Sequence, residues 1–290
     1  AELQKYTYDK NRLEVVNTTE VIETAEPPVN AIRRKKDSSI VASVRAVAEG
    51  RCQAVVSAGS TGAAMAASLF GLGRIHGVSR PAIAVTIPTM THPVVLIDGG
   101  ANSDCTPEML SQFAEMGCAY AKHIVGVEDP KVGILSIGEE EGKGNALVKE
   151  TYPLLKNMQE KGYINFVGNI EGKELFINKC DVVVCDGFAG NVALKVTEGT
   201  ASMLLKMISK EFKSDILGCI IGLLAKPCLR RILKKINWEV FGGMLLLGVN
   251  GISVIAHGRS SSYAMKNAVR AAVRVLNKDI NSKIAENINR

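Results

Sequence analysis

Aromatic side chains make up only 5% of this 290-residue sequence, and there is a single tryptophan. The few aromatics are not interleaved with basic residues, so stacking on nucleic-acid bases is not expected. No apolar run reaches the roughly 18–20 residues that a membrane span requires. The seven cysteines are scattered and odd in number, and no Cys-x-x-Cys occurs. That excludes a disulfide framework and reads as small core residues of a reduced, cytoplasmic protein. The four histidines, His76, His92, His123 and His257, have no metal-ligand spacing. No leader pattern opens the sequence. There is no Walker A loop, no G-x-G-x-x-G fingerprint and no Ser-His-Asp pattern. Low-complexity segments and internal repeats are missing too.

What remains is the composition of a globular enzyme, 47% apolar and 22% charged. The net charge of +6 is unevenly spread. Between Lys206 and Glu239 stand eight lysines and arginines against three acidic residues, so the partner of this region is expected to be acidic. Short apolar runs alternate with helical patterns, which predicts a three-layer α/β/α sandwich on a mainly parallel sheet. The strand candidates are 54–57, 83–87, 94–98, 132–137, 164–168, 181–185 and 252–256, each apolar enough to be buried on both faces. Helices are expected over 29–49, 62–72, 107–125, 146–161, 192–212 and 260–276, with Thr106 capping the third. No linker divides the chain, so 1–290 reads as one catalytic unit carrying an inserted helical hairpin at 213–238. In that insertion an apolar segment, 216–225, is followed by Lys226-Pro227, where a helix should be interrupted, and then by a basic helix. The pattern suits a membrane-surface element or an oligomer interface.

Four loops follow candidate strands, the usual ligand position in open α/β sheets. Ser57-Ala58-Gly59-Ser60-Thr61-Gly62 turns from a strand into an Ala-rich helix, either as a tight turn or as a phosphate cradle. Asp98-Gly99-Gly100-Ala101-Asn102-Ser103-Asp104 lets the backbone approach a ligand and projects Asn102 and Asp104, or is a capped loop before Pro107. In Gly138–Asn145, Lys143 sits between glycines at a helix start, either as an anion-binding ammonium or as part of a solvated pair with the preceding glutamates. Finally, Asp186-Gly187-Phe188-Ala189-Gly190-Asn191 leads into a long helix, with Asn191 at or near its cap or facing the ligand. A basic cluster, Arg33-Arg34-Lys35-Lys36, reads as a solvated helix face, a cleft rim or a dock for an acidic carrier.

In this order the loops resemble the acyl-ACP:phosphate acyltransferase family often called PlsX. The match runs from about Thr18 to Ser260. It also takes in Arg80-Pro81, Cys105-x-Pro107-Glu108, Lys143-Gly144-Asn145, Gly242-Gly243 and Ala256-His257-Gly258. Each motif is weak alone; their joint order is specific. The resemblance implies formation of long-chain acyl phosphate from acyl-ACP and inorganic phosphate, for phospholipid synthesis. It also implies a fold related to phosphotransacetylases, a homodimer, peripheral membrane association through the hairpin, and no metal or organic cofactor. Its functional positions fall on Lys143 and Asn191. The family usually has Asn where Ser60 stands. Its members also begin with a strand and an Asp/Gly-rich motif, so roughly the first forty residues are expected to be lacking here, exposing a strand edge.

The expected chemistry needs no activated serine or cysteine, because phosphate is the nucleophile. Lys143 and Asn191 would stabilise the oxyanion. The substrate pocket would be drawn from Ser57, Gly59, Ser60, Thr61, Gly62, Asn102, Asp104, Gly144, Asn145, Asp186, Gly187 and Gly190. His257 would be a proton donor to the thiolate or a structural histidine. The alternatives are a short-chain phosphate acetyl- or butyryltransferase using CoA, and a non-catalytic membrane-bound scaffold for acyl carrier protein. A metal-dependent dehydrogenase would need clustered aspartates that the sequence does not present.

Overall fold

The computed structural model describes residues 3–23, 25–236 and 240–290. Among these residues the centre is an eight-stranded sheet. Its strands are β1 (Ala54–Ser57), β2 (Ala82–Ile87), β3 (Val94–Ile97), β4 (Lys131–Ser136), β5 (Asn165–Glu171), β6 (Val182–Val184), β7 (Met244–Leu247) and β8 (Ile252–Ile255). The spatial order is β1-β8-β7-β2-β3-β6-β4-β5. Nearly every residue of β2, β3, β6 and β8 is buried, as their unbroken apolar sequences require. The helices are α1 (Pro28–Arg34), α2 (Ser39–Ala48), α3 (Thr61–Leu72), α4 (Pro107–Tyr120), α5 (Ala146–Glu160), α6 (Gly187–Glu211), α7 (Ile216–Ile236), α8 (Ser262–Asn277) and α9 (Ile280–Ile288).

Two cores make the three layers. On one face Phe113, Met116, Leu155, Val275 and Ile284 from α4, α5, α8 and α9 pack on the sheet. On the other, Ala64 and Met65 of α3 and Ala189 and Leu194 of α6 cover Ile83, Val85, Leu96 and Leu246. The sandwich expected from the sequence is the one observed.

Strand direction is mixed. β3, β6, β4 and β5 are mutually parallel, and β1 is parallel to β8, but β2 pairs antiparallel with both β3 and β7, and β7 with β8. The loops that follow β1 and β8 therefore leave from one edge of the sheet, and those that follow β3, β6 and β4 from the opposite edge.

Several elements differ from expectation for local reasons. The helix expected over 29–49 is two, α1 and α2. At the break the Asp37 carboxylate accepts from the Thr19 backbone N–H at 2.8 Å and from its hydroxyl at 2.6 Å, and Glu20 pairs with Ser38. These contacts hold the chain in a non-helical conformation, so the basic cluster straddles a break rather than one helix face. β7 was not foreseen, because a Leu-rich run lacks the β-branched signature of a strand. α6 begins at Gly187, not at 192. In the insertion α7 is one continuous helix through Pro227. Leu223, whose carbonyl loses its partner there, is exposed, so solvent can take the place of the missing N–H. Asn237 and Trp238, the end of that insertion, lie outside the described residues.

Glu115, half-buried on α4, generates a pH prediction. Burial raises its carboxyl to about 7, opposed by Arg290. An unfolded glutamate titrates at about 4.3. The folded value is thus the higher one, and the stability this group contributes is present at low pH and lost as pH rises through about 7. Glu115→Gln is expected to be more stable than the parent chain at pH 8, with the gap narrowing towards pH 5, as read by urea denaturation at each pH.

Candidate functional site

The loop after β3 is organised by Asp98, which is fully buried. Its Oδ1 accepts from the backbone N–H groups of Ile83 (3.0 Å), Gly100 (3.0 Å) and Ala101 (2.8 Å). Its Oδ2 accepts from the backbone N–H of Asn102 at 2.7 Å and from the Asn102 amide at 2.9 Å. Burial raises the Asp98 carboxyl from its ordinary value, and the hydrogen bonds from Ala101, Ile83, Asn102 and Gly100 hold it down. The glycine-rich loop is thus no open anion cradle: its N–H groups point inward at a carboxylate. Asn102 spends its amide on Asp98 and on the Pro81 carbonyl at 2.8 Å. Its role is to staple the start of β2 to the end of β3.

The N-terminus of α6 is built onto this loop. Asp186 is its cap, accepting from the Ala189 N–H at 2.8 Å. Gly187 donates its N–H to the Asn102 carbonyl at 2.7 Å. A Cβ on Gly190 would lie 1.9 Å from the Asp98 carbonyl oxygen, so only glycine allows the helix this close. Asp186, Gly187 and Gly190 are therefore the masonry behind the site. Asn191 is not at the cap. It sits in the second turn, exposed, alongside Gly100, whose added Cβ would be 3.4 Å from that of Asn191.

Lys143 follows β4. Its N–H donates to the Glu140 carbonyl at 2.9 Å, and the Asn169 amide of β5 donates to that same carbonyl at 2.6 Å, which fixes the loop. Gly144 turns with φ +109°, and Asn145 caps α5 by accepting from Val148 N–H at 2.9 Å. The Lys143 ammonium is exposed, with no hydrogen bond or ion pair among the described residues. Two of the three preceding glutamates are engaged elsewhere, Glu139 with Lys179 at 3.1 Å and Glu141 with Lys156 at 3.9 Å. The solvated charge pair is thus not what forms.

On the other edge, Ser60 caps α3 by accepting from Ala63 N–H at 3.4 Å, and Ser57 accepts from Gly59 N–H at 3.3 Å. Ser60 therefore does local work as a cap.

A cavity of about 740 Å³ lies between α3, α6 and the sheet face of β2 and β7. Met65, Leu69, Val85, Leu194 and Leu246 give it an apolar body. One end holds Arg80, Gly100, Asn102 and Asn191; the other holds Thr61, Gly62 and His257. Register separates them. Ile97, Ala84, Leu245 and Val254 form one row across the sheet. Gly99 lies two residues beyond that row and His257 three residues beyond it in the opposite direction, roughly 17 Å apart along the strands. His257, whose Nδ1 accepts from Arg259 N–H at 3.1 Å, is not brought together with Asn191. Ser57, Gly59, Ser60, Asp104, Lys143, Gly144, Asn145, Asp186, Gly187 and Gly190 are not part of the cavity wall. Lys143 does share Asn191's edge of the sheet, since β4 and β3 flank β6. Sequence reasoning missed Arg80 and the apolar faces of α3 and α6 as wall residues. The Arg80-Pro81 pair at a strand start was the visible signal for the first.

Near the site, Cys105 is pushed up to about 11 by burial and by the charge of Asp98, and burial raises Cys185 well above the ordinary thiol range. Cys52, Cys219 and Cys228 are exposed, so not every cysteine is the core residue expected. Among the described residues no three His, Cys, Asp or Glu side chains gather as a metal site.

The fatty acid synthesis protein family matches residues 1–283. The chain is 48% identical over 289 residues to a phosphate acyltransferase of Dictyoglomus turgidum, covering 99% of this chain and 85% of that protein. It is 47% identical to one of Halothermothrix orenii, covering 100% of this chain and 86% of that protein. Among solved structures it resembles the EutD phosphotransacetylase from Staphylococcus aureus, with a TM-score of 0.54 at 15% identity over 99% of this chain and 82% of that one. A phosphotransacetylase from Streptococcus pyogenes gives the same TM-score at 17% identity, over 90% of this chain and 70% of that one. These two likenesses concern the fold.

Asp98 generates the prediction for this site. Asp98→Asn replaces an acceptor-only group with one that presents N–H to N–H. It is expected to cost about 2 kcal/mol or more, the penalty for unsatisfied buried donors, read as a lowered urea midpoint.

Proposed function

The chain belongs to the fatty acid synthesis protein family of phosphate acyltransferases, and we propose that its acyl donor is a long-chain thioester on acyl carrier protein, attacked by inorganic phosphate. It is an acyltransferase. The observation that carries the long-chain reading is the cavity: a polar end beside Asn191 opens into an apolar body between α3 and α6. A thioester carbonyl at Asn191 with its alkyl chain along Met65, Leu69, Leu194 and Leu246 matches that division of polarity.

The reaction follows from simple electron bookkeeping. An oxygen of hydrogen phosphate attacks the thioester carbon, and the carbonyl oxygen becomes an oxyanion. The C–S bond then breaks, the acyl group remains on the new C–O–P linkage, and the proton lost by phosphate neutralises the departing thiolate. In our proposal Lys143 and Asn191 are the catalytic residues. The unpaired ammonium of Lys143 supplies positive charge, and the Asn191 amide donates a hydrogen bond to the oxyanion. Both stand on the same sheet edge, and neither has to break an ion pair to act. Asn102, Asp186, Gly187 and Gly190 support the backbone that carries Asn191, while Gly144 and Asn145 shape the Lys143 turn.

We also propose peripheral membrane attachment and homodimerisation through the insertion and its neighbour α6. No helix of the described residues is long and apolar enough to cross a membrane. Yet Ile216, Leu217, Leu223 and Leu224 of α7 are exposed, as are Met203 and Met207 of α6. Lys226, Arg230 and Arg231 are exposed on the same helix as the leucines. An apolar stripe beside cations suits an anionic lipid surface.

Thiol release from palmitoyl carrier protein, with and without phosphate, tests the reaction. Phosphate-dependent release is expected, and Lys143→Ala should lose roughly 3 kcal/mol of transition-state stabilisation, about a hundredfold in rate. A near-normal rate in that variant removes Lys143 from the mechanism. Preference for acetyl-CoA would favour a short-chain enzyme, and carrier binding without turnover a scaffold. In a separate measurement, Leu223→Ser with Leu224→Ser should weaken flotation with anionic phospholipid vesicles while leaving turnover of soluble substrate intact.

A further inference from the structure

Among the described residues, two Lys or Arg side chains line the cavity, Arg80 and Lys195. Lys195 is held by Glu198 at 3.0 Å, and Glu198 is itself in the wall. Those two charges cancel. Arg80 is exposed into the cavity and has no hydrogen bond or ion pair among the described residues. Its neighbour Arg74 is different, for its guanidinium is spent on the Ser79 carbonyl. Among the described residues the wall therefore carries one uncompensated Lys or Arg charge, and it lies at the end occupied by Gly100, Asn102 and Asn191.

The position of Arg80 is fixed rather than fortuitous. The Asn102 amide donates to the carbonyl of Pro81, the next residue, at 2.8 Å. Ile83, two residues further on, donates its N–H to Asp98 at 3.0 Å. The backbone that bears Arg80 is thus tied to the same buried carboxylate that shapes the loop beside Asn191. A guanidinium held by its backbone but free at its tip is arranged to receive a ligand. Its planar fork matches two oxygens of a phosphate group.

We propose that Arg80 binds the phosphate group of a substrate at the Asn191 end of the cavity. This rests on the phosphate acyltransferase reading, and two substrates of that reaction carry such a group: free phosphate, and the phosphodiester of the carrier's prosthetic arm. Arg80 acts as a binding and positioning residue that aims a phosphate oxygen, or the arm behind the thioester, at the reacting carbon.

Two measurements test this. In the first, wild-type chain is treated with phenylglyoxal and modification at Arg80 is followed by mass spectrometry, without substrate, with inorganic phosphate, or with carrier protein bearing the arm. Protection by phosphate identifies free phosphate as the ligand, and protection by carrier alone identifies the phosphodiester. Protection by neither overturns the proposal. In the second, Arg80→Gln and Arg80→Lys are compared with wild type at varied phosphate and varied palmitoyl carrier. Arg80→Gln should raise the KM for the protecting substrate about tenfold, the size of one charged hydrogen bond, and leave the other KM unchanged. Arg80→Lys, which keeps the charge but not the fork, should fall between. Unchanged KM values for both substrates in a folded Arg80→Gln protein also overturn it. The protection assay needs no turnover. Protection in a chain that transfers no acyl group would leave Arg80 as a phosphate ligand and sink the enzymatic reading instead.

Discussion

A single buried carboxylate holds the centre of this molecule together. Asp98 follows β3, receives a backbone N–H from β2, and gathers three successive N–H groups of the loop after it. Its cost is that of burying a charge, and five hydrogen bonds to it offset that cost. Because the loop curls around Asp98, the Asn102 carbonyl faces outward and receives the first N–H of α6. Because α6 docks there, Gly190 slides under the Asp98 carbonyl and Asn191 emerges beside Gly100. Each step depends on the one before.

This dependence explains which parts of the site were legible. Glycines and small polar residues after apolar runs marked the four loops, and all four are where strands hand over to helices. Of the caps only Thr106 was legible as one; Asn145, Ser60 and Asp186, read as ligand-facing residues, also accept from a helix N–H, and the cap of α6 is Asp186 rather than Asn191. What the pattern does not contain is the direction of an N–H group. Gly99-Gly100-Ala101-Asn102 has the composition of an anion cradle, and it is one, but its anion is covalently part of the protein. Only the burial of Asp98 decides this, and burial is a tertiary property.

Strand direction was equally hidden. Apolar periodicity identifies a strand without saying which way it runs, and the alternation of strands and helices suggested one uniform edge for all the loops. The antiparallel β2 and β7 send the Ser57–Gly62 turn and His257 to the far side of the sheet from Asn191. β7 itself escaped notice because Met244–Leu247 has no β-branched residue. Arg80 was visible beside Pro81, but an arginine before a strand means nothing until its neighbours are known to be satisfied without it.

The same reversal has an evolutionary reading. A cavity whose two ends hang from opposite edges of one sheet is served by two separate sets of loops. At roughly 17 Å apart along the strands, the two ends are beyond direct contact, and substitutions at them couple only through the cavity they share. The end that handles charge can therefore stay constant while the far wall, made of α3 and the turn that starts it, is reshaped by selection. On the proposed reading, the identity of the reaction and the fit of the cargo become separately heritable traits.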